Sequence, residues 1–330
     1  MIGVNQTPYR EEVLFMRRLS VAALKRLPVV RSVSTFITIL LCTIALAQST
    51  ARAPQSMVKL NVLVTDKSHR PAMDLNQEDF LVFDEGRQQA ISFFQKKDIP
   101  VSYGLIVDNT GSMRSRRPDV IQVAKAIVSS NRPEDRAFIL RLIDGQALLA
   151  ADWASDKTAL LNSLNAMKSA NGMMSLIDSV YAGSEEFTRQ SPAEDIADRR
   201  RAIILITDGI DRGSSKKMDE LLSRLHKENI QVFAVGFDSP RNTRWRAAEL
   251  LETLAEKTGG RSLYLETREE LEASAGLISS YLRSQYVIGY SRSRDAKNDS
   301  PRKVRVKIID KPDRDKYSIT SRLHYFLPSN

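Results

Sequence analysis

Val101-Ser102-Tyr103-Gly104-Leu105-Ile106-Val107-Asp108-Asn109-Thr110-Gly111-Ser112-Met113 is the stretch on which the fold of this chain turns. Residues 101–107 make an apolar run that predicts a buried strand, and a helical pattern begins near Pro118. Between them, Asp108, Thr110 and Ser112 stand at i, i+2 and i+4, which puts three oxygen side chains on one side of a tight turn. Gly111 is expected to supply the backbone freedom of that turn. Hard oxygen donors with no His or Cys beside them suit Mg²⁺, Mn²⁺ or Ca²⁺ rather than zinc. The loop falls at the carboxyl end of a strand, where open α/β sheets place their ligand sites. The competing reading is an ordinary Asp/Ser-rich loop that caps a helix.

Outward from this loop, strands and helices alternate. Strands are expected at 101–107, 136–142, 146–151, 202–206, 230–236 and 262–265, with amphipathic helices near 118–130, 157–168, 175–188, 215–228, 242–257 and 268–282. Runs such as Ala202-Ile203-Ile204-Leu205-Ile206 are apolar throughout, the mark of strands covered on both faces. The expected fold class is therefore α/β: a doubly wound, mainly parallel, Rossmann-like sheet flanked by helices over residues 100–283.

Shorter β segments lie on either side. Val58-Lys59-Leu60-Asn61-Val62-Leu63-Val64 alternates with period two, and 79–84 and 90–94 flank the turn Asp84-Glu85-Gly86. Further strands are expected at 285–290, 303–308 and 317–320. Neither group buries a core alone. One solution pairs segment 57–98 with segment 284–327 in a small β-sandwich-like domain, the α/β domain being inserted between its halves; the other is two separate β extensions packed on the α/β domain.

The chain has 330 residues, 42% hydrophobic and 27% charged, a composition that excludes neither a large core nor solubility. Arg17, Arg18, Lys25, Arg26 and Arg31 precede an apolar run from Phe36 to Ala47 that ends Ala45-Leu46-Ala47. Residues 1–47 thus read as an export signal peptide rather than a membrane span, with an uncleaved anchor as the alternative and Met16 as a second candidate start. Six basic and two acidic residues lie in 1–47, so their loss lowers the net charge from +9 to +5. Cys42 is the only cysteine and lies in the leader, so the mature chain has no disulfide, thiolate zinc site or cysteine nucleophile. An exported location, periplasmic, secreted or at the cell surface, follows. No basic tract interleaved with aromatics speaks for nucleic acid.

A second acidic loop, Ile206-Thr207-Asp208-Gly209-Ile210-Asp211, follows a second buried strand. Neighbouring strands bring their carboxyl ends together, so Asp208 is expected to face Asp108, Thr110 and Ser112. The two loops, with the Val235-Gly236 strand end, resemble the von Willebrand factor type A domain, exported bacterial type, over about 100–282. The resemblance implies a metal-ion-dependent adhesion site with Asp108, Thr110, Ser112 and Asp208 as ligands of Mg²⁺ (or Mn²⁺ or Ca²⁺). It implies no catalysis: the metal leaves one position open for an acidic residue of a protein partner. Relatives carry a Thr in a middle loop where this chain reads Gly172-Met173-Met174-Ser175-Leu176-Ile177-Asp178. Met174 falls on the Thr position and is a poor ligand for a hard cation. Ser175 reaches the metal only if the loop shifts. The resemblance therefore leaves two functions open, a metal-dependent adhesion module and a scaffold with a metal-free site.

Arg114, Arg116, Arg117, Arg212, Lys216 and Lys217 flank the acidic loops, either as a rim that steers an acidic partner or as solvated charge. An Asp-nucleophile phosphatase is the enzymatic rival, but its acid two residues on is here Thr110. His69, His226 and His324 are scattered, with no metal-binding spacing. Trp153 and Trp245 are expected in core packing, and Arg199-Arg200-Arg201 as exposed charge opening a strand.

Overall fold

The structure, a computed structural model, describes residues 55–96, 98–143, 145–168, 172, 174–190, 199–237, 244–293, 301–309 and 317–326; the leader lies outside the described residues. In chain order the strands and helices are β1 (Gln55–Thr65), β2 (Phe80–Asp84), β3 (Arg87–Gln89), β4 (Ile91–Gln95), β5 (Val101–Val107) and α1 (Arg117–Ser129). They continue as β6 (Arg136–Ile143), β7 (Gln146–Ala154), α2 (Lys157–Ala166), α3 (Leu176–Gln190), β8 (Arg200–Thr207), α4 (Met218–Lys227) and β9 (Ile230–Phe237). The last are α5 (Arg244–Thr258), β10 (Ser262–Leu265), α6 (Arg268–Arg283), β11 (Tyr286–Ser293), β12 (Arg302–Ile308), β13 (Ser318–Ser321) and β14 (His324–Tyr325). The expected α/β alternation is present helix for helix.

The large sheet has strand order β10-β9-β8-β5-β6-β7, parallel except for β7, which returns antiparallel on β6. β5 and β8 are neighbours in register, with Ile106 opposite Leu205 and Val107 opposite Ile206. Both are buried at every position because helices cover both sides. On one face Tyr103, Leu105 and Val107 pack against Val120, Val123 and Ile127 of α1, Leu160 of α2 and Ile278 of α6. On the other, Ile106, Ile203 and Leu205 meet Val180 of α3, Leu221 and Leu225 of α4 and Leu251 of α5. Gly104 is needed in the middle strand, since a Cβ there would stand 2.2 Å from Phe138 Cζ.

Two four-stranded antiparallel sheets, β13-β1-β11-β4 and β14-β12-β2-β3, enclose a separate core. Leu60, Val62, Phe80, Val82, Tyr286, Ile288, Val304 and Tyr325 fill it. Strands from both ends of the chain pair directly: Leu60 is opposite Ile288 and Val82 opposite Val306. The turn after β2 has positive φ at Glu85 (49°) and Gly86 (78°), as a tight hairpin requires. The segment expected as one strand at 90–94 is different in detail. β3 pairs with β2 in one sheet, and one residue later β4 pairs with β11 in the other. The chain changes sheets at Ala90.

Two further expectations are corrected. Arg200 and Arg201 are buried, not exposed, because the foot of β8 is flanked by helices on both faces. Arg200 donates through Nη1 to the carbonyls of Leu282 and Arg283 at the end of α6, where a cation is favoured. Burial lowers its pKa to about 10, with Arg283 adding to the effect and Asp98 opposing it. Arg201 pairs with Glu228 at 3.2 Å and lies over Phe187. Trp153 does join a core cluster, edge-on to Phe138 and Phe187. Trp245, however, is 60% exposed: the buried stripe of α5 is Ala247, Leu251, Leu254 and Ala255, on the other side of the helix.

Candidate metal centre

The parallel pairing of β5 and β8 carries both acidic loops to the same edge of the sheet, and Asp108 N donates to Ile206 O at 2.9 Å. Asp108 is 1% exposed and Asp208 4%. Asp108 Oδ1 accepts from Thr110 N (3.0 Å) and Thr110 Oγ1 (2.7 Å), and Thr110 Oγ1 lies 3.2 Å from Ser112 Oγ. Asp108, Thr110 and Ser112 therefore form one chain of oxygens ending at the exposed Ser112. Asp208 Oδ1 accepts from Ile210 N at 3.0 Å. Burial pushes the Asp108 carboxyl above its ordinary value, and the neighbouring Asp208 charge pushes it the same way, against the lowering hydrogen bonds from Thr110 and Thr207.

Thr207, which closes β8, was not among the expected site residues. Its hydroxyl takes a hydrogen bond from Gly209 N (3.0 Å) and has two acceptors in reach, Asp108 Oδ2 at 2.8 Å and Met174 Sδ at 3.0 Å. One proton serves one acceptor well, and the carboxylate is the stronger. Its only sequence signal is a hydroxyl at the end of an otherwise apolar strand.

Asn109 anchors the first loop from below. Its Nδ2 donates to Lys168 O (2.8 Å) and its Oδ1 accepts from Leu142 N (2.9 Å). A 3-10 turn, Gly111–Arg116, then leads into α1. Gly111 is not the residue that the geometry demands: its φ is not positive and a Cβ there would meet nothing. That requirement falls on Gly209 in the second loop, with φ +77° and a Cβ position 3.0 Å from Ala247 O.

The middle loop is fastened to the second loop. Arg212 N donates to Met174 O at 2.7 Å, and Asp211 Oδ1 accepts from Leu176 N at 2.7 Å at the start of α3. Asp178 accepts from Ser215 N (2.9 Å), Ser215 Oγ (3.1 Å) and Lys216 N (2.8 Å). Burial works to raise the Asp178 carboxyl, but these donors and the Lys216 charge hold it below the ordinary value. Met174 is thereby held at the site, 1% exposed. Ser175 is also buried, but among the described residues no hydrogen bond joins its hydroxyl to either acid; its carbonyl accepts from Ser179 N and Oγ. The structure thus brings Asp108, Thr110, Ser112 and Met174 together through Thr207, with Asp208 beside them, and leaves Ser175 out.

Around the rim Arg116 pairs with Asp119 at 3.4 Å, Arg117 donates to Met167 O and Lys216 pairs with Glu220 at 2.9 Å, while Arg212 and Lys217 are exposed. Among the described residues no three His, Cys, Asp or Glu gather, so any cation here depends on hydroxyls as well as carboxylates. Two buried carboxylates and two hydroxyls are a donor set that fits a hard divalent ion; the Met174 sulfur does not.

An open, doubly wound sheet with an Asp-x-Thr-x-Ser loop and an answering Asp at the ends of adjacent central strands defines the type A class of α/β domains. Residues 104–275, more than half of the chain, match the von Willebrand factor type A domain model, and the chain belongs to that family. No curated protein matches it. Solved structures are similar at a distance. The conserved hypothetical protein BatB from Bacteroides thetaiotaomicron shares 17% identity over 56% of this chain and 98% of its own, with a TM-score of 0.43. An aerotolerance-related membrane protein from Bacteroides fragilis shares 16% over 55% and 98%, with a TM-score of 0.45. The proximal thread matrix protein 1 of mussel byssus, solved with a zinc-occupied metal motif, shares 17% over 56% and 48%, with a TM-score of 0.45. No helix among the described residues is long and apolar enough to cross a membrane.

Proposed function

We propose that this chain is an exported protein-interaction module whose Asp108, Thr110, Ser112 and Asp208 hold a divalent cation, Mg²⁺ in the first instance. The observation that carries this reading is the pair of buried carboxylates at neighbouring strand ends, lined by the Thr110 and Ser112 hydroxyls. Burial and the Asp208 charge raise the cost of ionising Asp108, and a divalent charge between the two carboxylates would offset it. The cation would supply an open coordination position for a carboxylate of a protein partner. Arg212 and Lys217 on the rim favour the approach of an acidic group. Asp108 accepts hydrogen bonds on both oxygens, an arrangement for holding rather than for nucleophilic attack, and the reading assigns no catalysis.

Calorimetry of Mg²⁺ and Mn²⁺ binding to the mature protein, beside Asp108→Asn, tests it. Asn keeps a carbonyl for the two Thr110 donors and offers an N–H to Thr207, so the fold persists while the charge is lost. Heat in the wild type and none in the variant is the expected outcome. A wild type silent at millimolar metal favours the second reading, a scaffold whose site Met174 has closed; the sulfur 3.0 Å from Thr207 Oγ1 is the observation on its side. The export part of the proposal predicts a mature N-terminus at Gln48 in material secreted by an expressing cell.

A further inference from the structure

The outward face of the β14-β12-β2-β3 sheet carries a row of charge that the metal site does not use. Along β12, Lys303, Arg305 and Lys307 are exposed while Val304 and Val306 between them are buried in the sandwich core. The register sets Arg305 opposite Phe83, Lys307 opposite Leu81 and Lys303 opposite His324. Gln88 lies beyond Phe83 on β3. Among the described residues none of the three cations is in an ion pair, and the carboxylate beside them is that of Glu85, opposite Lys303. Asp84 points to the other side, held by Arg302 and Tyr325, and Glu85 Oε1 accepts from the backbone N of Lys303. A groove of about 360 Å³ runs past Phe83, Gly86, Lys303, Arg305 and Lys307, with the Lys307 ammonium 5.6 Å from the centre of the Phe83 ring.

Folding gains little from this arrangement beyond the contact of Lys307 with the Phe83 ring. Three like charges along one strand repel one another, and any polar residue would serve at solvent-facing positions. What the row does have is a period: alternate side chains of a strand recur about every 6.6 Å. A partner chain in extended conformation presents its own alternate side chains at the same interval. We propose that this face is a docking strip for an extended acidic peptide segment of a partner protein, with carboxylates at every second position set against Lys303, Arg305 and Lys307 and its backbone lying over Phe83 and Leu81. A flat lipid surface would have no use for the groove, and the single half-buried aromatic gives no series of stacking platforms for nucleic acid bases. The strip is chemically distinct from the metal site, because its attraction comes from fixed side-chain charge and needs no cation.

The experiment is fluorescence anisotropy of the full protein in chelator with three kinds of probe. One is a labelled peptide with glutamate at every second position; another has the same composition with the glutamates in a single block; anionic phospholipid vesicles and single-stranded DNA are the third. The alternating peptide should bind about tenfold tighter than the blocked one, as three exposed pairs in register allow, and its affinity should fall with salt. The variant Lys303→Glu/Arg305→Glu/Lys307→Glu should lose that binding while its thermal melt stays that of the wild type, since these side chains bury nothing. If that variant melts early, the triple Gln variant replaces it, with the same loss expected. Equal affinity for the two peptides, tighter binding of vesicles or DNA, retention of binding by the charge-altered variants, or dependence on Mg²⁺ would each overturn the proposal. The last outcome would place the peptide on the metal site instead, so the two readings fail separately.

Discussion

Met174→Thr puts the hydroxyl of the family pattern back into the middle loop, and its effect can be worked out from the surroundings of Met174. The side chain is 1% exposed, and its sulfur lies 3.0 Å from Thr207 Oγ1, which in turn donates to Asp108. The exchange removes the apolar end of a fully buried side chain and costs about 2 kcal/mol, the new hydroxyl being left with Thr207 as a partner. In chelator the melting temperature should therefore fall by roughly 4–8 °C for a unit of this size. In magnesium the variant should regain most of what it lost relative to the wild type, because it adds a hard donor where the wild type has a sulfur. Metal at a hundredfold excess over Kd stabilises by about 2.7 kcal/mol, and a tenfold tighter Kd adds about 1.4 kcal/mol at the same concentration. Calorimetric melts of both proteins across a magnesium titration measure this, with Asp108→Asn in the Met174→Thr background as the control that must erase the response. A variant whose melting temperature responds to magnesium no more than that of the wild type refutes the assignment of the middle loop to the metal's surroundings.

Other outcomes follow from the same structure. Because the Asp108 carboxyl is raised by burial and by Asp208, protons compete with the cation: magnesium affinity should start to weaken, as pH falls, at a value above the ordinary 3.8, and isothermal titrations at several pH values show the onset. In chelator the sign for folding is the reverse of the usual carboxylate, since the folded state prefers the protonated acid, so stability should fall as pH rises through that raised pKa. His226 is buried against the Lys257 carbonyl (2.7 Å), and its pKa is lowered to about 4 by burial first, with His324, Arg322 and Lys257 adding. Its contribution is present above the ordinary 6.5 and disappears as pH falls through about 4, a loss of roughly 3 kcal/mol that denaturant titrations should show blunted in His226→Gln. Gly104→Ala drives a methyl into the Phe138 ring and should cost about 3 kcal/mol, with Phe138→Leu restoring part of it in the double variant; additive losses would show that the ring is not the obstacle.

What the sequence discloses about this molecule follows from how strongly each position is constrained. Buried parallel strands leave unbroken apolar runs, so β5, β8 and β9 are legible, and an Asp at the end of such a run is conspicuous. Asp108, Thr110, Ser112 and Asp208 could be named for that reason. Thr207 could not, because a Thr that ends a strand is unremarkable until the register sets its hydroxyl against Asp108. Arg200 and Arg201 misled because charge is normally solvated, whereas here helix-end carbonyls and Glu228 accept their protons at the foot of a covered strand. The two glycines changed places: Gly111 stands in a turn but carries no positive φ, and Gly209, with its crowded Cβ position, carries the constraint. The change of sheet at Ala90 has no Gly or Pro to announce it and is visible only from pairing.

The pairing of β1 with β11 and of β2 with β12 sets an order of events during synthesis. Leu75 N finds the Tyr286 hydroxyl 211 positions later, so the early strands emerge long before their partners exist. The α/β segment between them contains its own sheet and can close first, holding its two ends close enough for the sandwich to finish last. Until then β1 and β2 are unsatisfied edges, open to mispairing and to proteases, and a chain stopped short of β11 is left with them permanently. The sandwich core therefore closes only once β11 and β12 have joined β1 and β2.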